Sequence, residues 1–285
     1  MPRMTYSERG PVSKVVLTLM AVHAHPDDEA TSTGGVLARY SAEGIRTVVV
    51  TCTNGELGDG HETTKPGDAG HDEAWVVATR RRELETSCEI LGVTSLELLG
   101  YRDSGMMGWP QNDSVGSFWT TPVEVAAERL SALIERYRPQ VVVTYDANGF
   151  YGHPDHIQAH RITVAALEAT PIPDKLYYPA IPRSAMEEFR EALRRAGVEE
   201  PDEAEEDWDL AIADELISAT VDCSDYAAQQ YAALQAHASQ GDGSFFTRLG
   251  VDLFSKMMSR ETFVRAFDRT GAPTPEDDLF AGLRD

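Results

Sequence analysis

Residues 15–22 (VVLTLMAV) form a nearly unbroken apolar run of strand length, the pattern of a parallel strand covered on both faces. The run ends in a polar turn, HAHPDDE, after which Val36, Leu37 and Tyr40 recur at helical spacing and Gly44 offers a stop. Residues 45–53 (IRTVVVTCT) predict a second strand, so this stretch reads as a βαβ unit.

The pattern then repeats. A charged segment, residues 58–73, leads to a helix predicted from Val77, Leu84, Cys88 and Leu91, closed by Gly92 and followed by a short strand over 95–99. Thr121-Pro122-Val123-Glu124 has the form of a capping box with proline at the first helical position, and Val123, Ala126, Leu130, Leu133, Ile134 and Tyr137 carry the helix to Pro139. Residues 140–146 (QVVVTYD) predict another buried strand, which empties into a polar turn over 147–156 and a helix ending near Thr170. Strands and helices alternating in this way predict an α/β protein: a Rossmann-like three-layer fold with a mainly parallel sheet. In such a sheet ligands bind beyond the carboxyl ends of the strands.

Beyond Pro173 the periodicity weakens, with strands expected at 175–181 and 217–221, helices at 184–196 and 224–237, and an extended tail marked by Pro273 and Pro275. The expectation is one domain over 1–285: a mobile arm (1–13), a core carrying the site (14–172) and a C-terminal elaboration (173–285).

Composition narrows the picture. The chain of 285 residues is 42% hydrophobic, yet no apolar run approaches the ~20 residues of a membrane span. A net charge of −22 repels phosphate backbones and anionic surfaces, which argues against nucleic acid and membrane as partners. Part of that excess is local: residues 199–209 (EEPDEAEEDWD) hold eight carboxylates and no base, a solvated surface loop by pattern. Cys52, Cys88 and Cys223 lack CxxC spacing and read as small core residues of a reducing compartment. With no apolar core of signal-peptide length before the first strand, the expected location is the cytoplasm. A homo-oligomer is left open.

Chemistry concentrates in two segments, His25-Pro26-Asp27-Asp28 and His153-Pro154-Asp155-His156, each placed after a buried strand. A catalytic zinc takes three protein ligands from His and carboxylate and leaves a position for water, a count that His25, Asp28 and His156 satisfy. The same donors accept iron(II) or another divalent ion. Asp27, left over beside a ligand, is the expected general base for metal-activated water. His153, if protonated, would stabilise an oxyanion or give a proton to a leaving amine, with Asp155 holding it oriented and charged and Tyr151 donating to the same oxygen. Either segment alone also fits a proline-led helix N-cap; two of them on one rim fit a metal site better. His160 lacks the glutamate a zincin helix needs after His156, and Gly34-Gly35 stands without any GxGxxG or GxxxxGK[ST] motif, so a nucleotide cofactor is not expected.

The chain resembles the LmbE-like, or N-acetylglucosaminyl-phosphatidylinositol de-N-acetylase (PIG-L), family of zinc deacetylases, through residues 21–29 (AVHAHPDDE) and 152–156 (GHPDH). Residues 101–106 (YRDSGM), 144–149 (TYDANG), 236–240 (AHASQ) and 278–283 (DLFAGL) look like the actinobacterial branch that makes and uses mycothiol. That resemblance implies zinc on His25, Asp28 and His156, the base on Asp27, and an electrostatic partner in His153 with Asp155. It adds a mobile Tyr151, and it adds Arg80 and Asp103 as contacts to the sugar or inositol; by pattern alone these two read as a helix-surface arginine and a turn former. It implies hydrolysis of an N-acyl, most simply N-acetyl, glucosamine amide in a small amino-sugar or thiol-conjugate substrate. A mycothiol S-conjugate amidase and a sugar N-deacetylase of a natural-product pathway share that chemistry. A non-catalytic metal- or sugar-binding protein would be expected to lack Asp27 or His153, and both are present.

Overall fold

The computed structural model describes residues 16–197, 210–241 and 244–284. The expected N-terminal arm and the acidic run over 199–209 lie outside the described residues.

Strand β1 (Thr18–His23) is buried along its whole length. Its alternating side chains feed two different cores: Leu19 and Ala21 face one side of the sheet, Met20 and Val22 the other. Double-sided burial is the reason the sequence shows an unbroken apolar run there. Helices α1 (Asp28–Ser32) and α2 (Gly34–Ala42) follow, then β2 (Arg46–Thr53), α3 (Glu73–Leu91) and β3 (Ser95–Tyr101). Helix α4 (Val123–Tyr137), β4 (Val141–Val143), the single turn α5 (Gly149–Gly152), α6 (Pro154–Ala169) and β5 (Lys175–Pro179) complete the parallel part. The seven-stranded sheet has the order β3-β2-β1-β4-β5-β9-β8, where β8 is Ala219–Asp222 and β9 is Arg260–Asp268. The strands from β3 through β5 are parallel, and β9 runs antiparallel to both β5 and β8. The order reverses between β1 and β4, which makes their carboxyl ends the topological switch point.

One core packs α2, α3 and helix α8 (Ala227–Ala236) against the sheet, and the other packs α4 and α6. Fully burying a leucine or valine in such a layer contributes about 1.5–3 kcal/mol. The C-terminal region shares the first core: Val221, Phe263, Leu279 and Phe280 belong to the same cluster as Leu19 and Val49. Beneath the strand ends, Glu276 accepts from the buried Lys175 ammonium, the Tyr177 hydroxyl and Arg265. A small two-stranded sheet, β6 (Ile181–Pro182) with β7 (Ala211–Ile212), flanks α7 (Arg183–Ala196).

Several expectations need correction. In α3 it is Val76, not Val77, that is fully buried, and Arg80 lies on the same buried face, so that face is not purely apolar. The capping box at α4 does not form: Pro122 is the cap, and the Thr121 hydroxyl donates to Ser117 O instead. Strand β4 is three residues long because the chain turns away after Val143 towards the site. Residues 244–268, where the periodicity is mixed and predicts no definite element, carry helices α9 (Ser244–Arg248) and α10 (Gly250–Met257) and the nine-residue β9, ahead of the stretch marked by Pro273 and Pro275. Strand β9 has no clean apolar alternation because Glu261 points inward, where its carboxylate accepts from Gly35 and Val36 N–H at the start of α2. That contact fills the helix terminus that a phosphate would need.

Candidate active site

Immediately after β1, the chain enters a turn that brings His25, Asp27 and Asp28 to the rim. The turn is closed locally, since His25 N–H donates to Asp28 Oδ2 at 2.7 Å. Asp27 has φ 122°, a conformation that L-residues with side chains rarely adopt and that persists only when neighbours hold it. Three hydrogen bonds, from two residues, supply that hold. Arg80 Nη2 donates to Asp27 Oδ2 (2.8 Å) and to Pro26 O (2.7 Å), while Asp27 N–H donates to Glu29 Oε2 at 3.0 Å. Arg80 is seated by Gly55 O at 3.0 Å. A Cβ at Gly55 or Gly58 would lie within 2.6 Å of its guanidinium, so both glycines are needed for the close approach.

The second segment reaches the same rim by another route. After β4 the chain passes through the irregular turn α5, with Phe150 at φ 66°, and enters α6 at Pro154. His153 is the N-cap: its Nδ1 accepts the N–H of Asp155 at 3.1 Å. His156, one turn in, stacks on Tyr145 with ring centroids 4.1 Å apart.

Together these residues form one buried cluster. Nitrogens of His25, His153 and His156 lie within 4.8 Å of one another. Asp28 faces two of them, with Oδ2 3.5 Å from His25 Nδ1 and Oδ1 3.6 Å from His156 Nε2. A second set, His25, Asp103 and Asp155, lies on the other edge of the same imidazole, 3.8 Å and 3.2 Å from its Nε2. His156 is 2% exposed, yet neither ring nitrogen has a hydrogen-bond partner. An unpaired buried polar group costs about 1–3 kcal/mol, so these nitrogens fit a metal ion better than an apo site.

Electrostatics point the same way. Burial lowers the His25 pKa, but Asp103, Asp155 and Asp28 outweigh it and raise it well above the ordinary value, a field that favours positive charge at this point. Burial raises the Asp28 carboxyl, while His156, then the hydrogen bond and charge of His25, hold it well below the usual range. Burial pushes His156 down to about 4 against the pull of Asp28. For Asp27, burial dominates over Arg80 and pushes the carboxyl up to about 6, with Asp28 adding to the rise.

Two sequence-based roles change at this level. His153 was expected as a charged group oriented by the Asp155 carboxylate. Burial, then the neighbouring His25 and His156, lower its pKa, and Nδ1 accepts the N–H of Asp155, an arrangement that favours the neutral ring with its proton on Nε2. The Asp155 carboxylate turns instead to His25 Nε2 and to the Ser104 N–H and hydroxyl. Arg80 and Asp103 are both buried, at 5% and 4% exposure, and bound to protein groups; Asp103 accepts from Gly105 N–H at 2.8 Å. Tyr151 is 43% exposed, its ring 4.9 Å from that of His156. His160 stays at the edge of the site, where its Nδ1 donates to Tyr145 O at 2.9 Å. Sequence reasoning left Glu29 and Ser104 without a role and His237 unassigned, because their partners are 58, 51 and 208 residues away.

A family model described as GlcNAc-PI de-N-acetylase (PIG-L) matches residues 20–167. A 1D-myo-inositol 2-acetamido-2-deoxy-alpha-D-glucopyranoside deacetylase of Acidothermus cellulolyticus is 42% identical over 281 residues, covering 94% of this chain and 96% of the relative. Among solved structures, a deacetylase of teicoplanin biosynthesis, in complex with teicoplanin, aligns with a TM-score of 0.56 at 17% identity over 87% of this chain and 97% of its own. The 4-carboxy-2-hydroxymuconate hydratase GalB of Pseudomonas putida KT2440 aligns with a TM-score of 0.58 at 20% identity over 90% and 99%. A hydratase and a deacetylase on one framework speak to the fold alone; chemistry has to be read from the site. Among the described residues no helix is long and apolar enough to cross a membrane.

Proposed function

The chain belongs to the PIG-L family, and from that premise we propose that it is a divalent-metal hydrolase that removes the acyl group, an acetyl in the first instance, from a glucosamine-type amide such as an N-acetylglucosaminyl inositol. The observation that carries this reading is the buried His156, whose Nε2 has no hydrogen-bond partner and lies 3.6 Å from Asp28 Oδ1, beside His25 and with Asp27 preceding Asp28 in sequence. In this reading His25, Asp28 and His156 hold the ion, zinc in our assignment with iron(II) as the competing metal. Bound there, the ion would supply Lewis acidity, lowering the pKa of water towards ~7 and polarising the amide carbonyl.

The chain's own residues divide the remaining work. Asp27, fixed by Arg80 and Glu29, takes a proton from the attacking water and later passes it to the leaving amine. His153, neutral and carrying its proton on Nε2, donates to the oxygen of the tetrahedral adduct, and Tyr151 supplies a second donor from the rim. Asp155 orients His25 through Nε2 and so would support a metal ligand rather than His153. Arg80 and Asp103 remain the proposed polar contacts for sugar or inositol hydroxyls, made through the small part of each that is open. Water adds across the amide C–N bond, giving a carboxylate and a free amine.

One observation favours amide substrates with a larger acyl group. Met106, Met107 and Trp109 stand exposed on the loop rooted at Asp103 and Ser104, an apolar ledge where an S-conjugate substituent would rest. The deciding experiment measures amine release by metal-loaded protein on acetylglucosaminyl inositol, a mycothiol S-conjugate and simple N-acetyl sugars. Turnover of the first with loss in Asp27→Ala is expected; turnover of the S-conjugate alone would reassign the substrate, and full activity in Asp27→Ala would overturn the mechanism.

A further inference from the structure

The matched family region ends at residue 167, yet a residue 70 positions further on reaches Glu29, directly behind the Asp27 turn. His237 follows α8 and is 2% exposed. Its Nε2 lies 2.7 Å from Glu29 Oε1, which also accepts from the Ser87 hydroxyl on α3. The other oxygen of Glu29 receives the N–H of Asp27. Glu29 is fully buried, so its rotamer is set by these bonds and not by solvent.

That arrangement matters because of the backbone it holds. Asp27 sits at φ 122°, a strained conformation that surrounding contacts must offset. Arg80 secures its carboxylate and the carbonyl before it, but no part of Arg80 bonds to its amide. The amide is held by Glu29 alone among the hydrogen bonds formed by the described residues. The segment after His237 strengthens the frame: Ser239 N–H and hydroxyl donate to Glu83, Gln240 bonds both N–H and O of Asp59, and Gly241 N–H donates to the Asp59 carboxylate. It thereby fixes the loop whose Gly55 and Gly58 seat Arg80.

We infer that His237, acting through Glu29, is a positioning residue for the general base: it keeps the Asp27 amide bonded and the carboxylate aimed at the reacting water. The inference rests on the amide-hydrolase reading for its kinetic part, and its structural part stands apart from it. With the imidazole lost, the Ser87 hydroxyl alone would hold Oε1 of Glu29, and the weakened anchor would let Glu29 swing from the Asp27 amide and the turn relax towards ordinary φ. The attacking water would then lose its acceptor, which lowers kcat, whereas substrate binding and metal ligation involve other atoms.

The test compares His237→Ala with His237→Gln, whose amide N–H can replace Nε2–H towards Glu29. Hydrogen exchange of the Asp27 amide is measured alongside kcat, KM and metal content in metal-loaded protein. In His237→Ala we expect Asp27 exchange to quicken at least tenfold and kcat to fall at least tenfold, with KM and metal content within twofold of the parent. His237→Gln should recover both to within threefold, and it carries the test if the alanine variant does not fold. Unchanged exchange in His237→Ala, a loss of KM or metal in step with kcat, or a folded His237→Gln as impaired as the alanine variant would each overturn the inference. A parent protein inactive on every substrate, with the exchange pattern still as expected, would count against the amide-hydrolase reading and leave the positioning role standing.

Discussion

The segments HPDD and HPDH look like copies in the sequence, each a histidine and proline followed by acid and each brought to the rim where parallel strands end, but the protein builds them by opposite means. HPDH is a relaxed helix start: proline occupies the first turn and His153 caps it through Nδ1. HPDD breaks backbone rules at Asp27 and is held open by Arg80 on one side and Glu29 on the other. The difference shows how nearly identical letters acquire different tasks. Capping turns His153 Nδ1 to the helix and leaves Nε2 for the donor role proposed above, while strain and clamping leave the Asp27 carboxylate partly open, 25% exposed, as the proposed base role needs.

The sharpest way to break this comparison is to remove the two groups and ask whether the losses differ in kind. Asp27→Ala should lower kcat by about 10²–10⁴-fold, the usual worth of a positioned general base, with metal still bound when measured by elemental analysis. His153→Asn keeps a good N-cap but loses the Nε2 donor. Its kcat should fall by about 10²-fold with the melting temperature nearly unchanged, and His153→Ala should add a stability loss of about 1 kcal/mol from the missing cap. If His153→Asn were as unstable as His153→Ala, the capping role would fail.

Metal removal probes what the two segments share. With free metal at about 100 times its Kd, binding stabilises the fold by about 2.7 kcal/mol, so a chelator should lower the melting temperature of the parent by several degrees and leave His156→Ala almost unmoved. Equal shifts in both proteins would place the ion elsewhere. The smallest effect is expected from Arg80→Lys, where an ammonium cannot reach Asp27, Pro26 O and Gly55 O together. A kcat loss of about tenfold, with about 1–2 kcal/mol of stability, would be read from kinetics and denaturant titration.

How much of this was legible depends on distance along the chain. The parallel strands were, because burial on both faces writes continuous apolar runs such as residues 48–50 and 141–143. The meeting of the two histidine segments followed from strand ends sharing a rim. Arg80 read as a surface residue because its partner Asp27 is 53 positions away, and a helix pattern registers only neighbours three or four apart. Strand β9 was missed since Glu261 occupies an inward position that alternation assigns to an apolar side chain. The Thr121–Glu124 box failed for the converse reason: the local signal was present, but Ser117 took the hydroxyl.

The separation of 208 positions between Glu29 and His237 also sets an order of events in time. Strands β1 to β5 form a parallel sheet from the first part of the chain, whereas α8 and β9 emerge from the ribosome much later and must dock before the Asp27 turn has its full support. Closing so long a loop is slow compared with pairing neighbouring strands and helices. The molecule should therefore assemble its framework first and gain its activity last. In refolding followed by pulsed hydrogen exchange, protection of the Asp27 amide should lag behind that of Val49, and simultaneous protection would rule this order out.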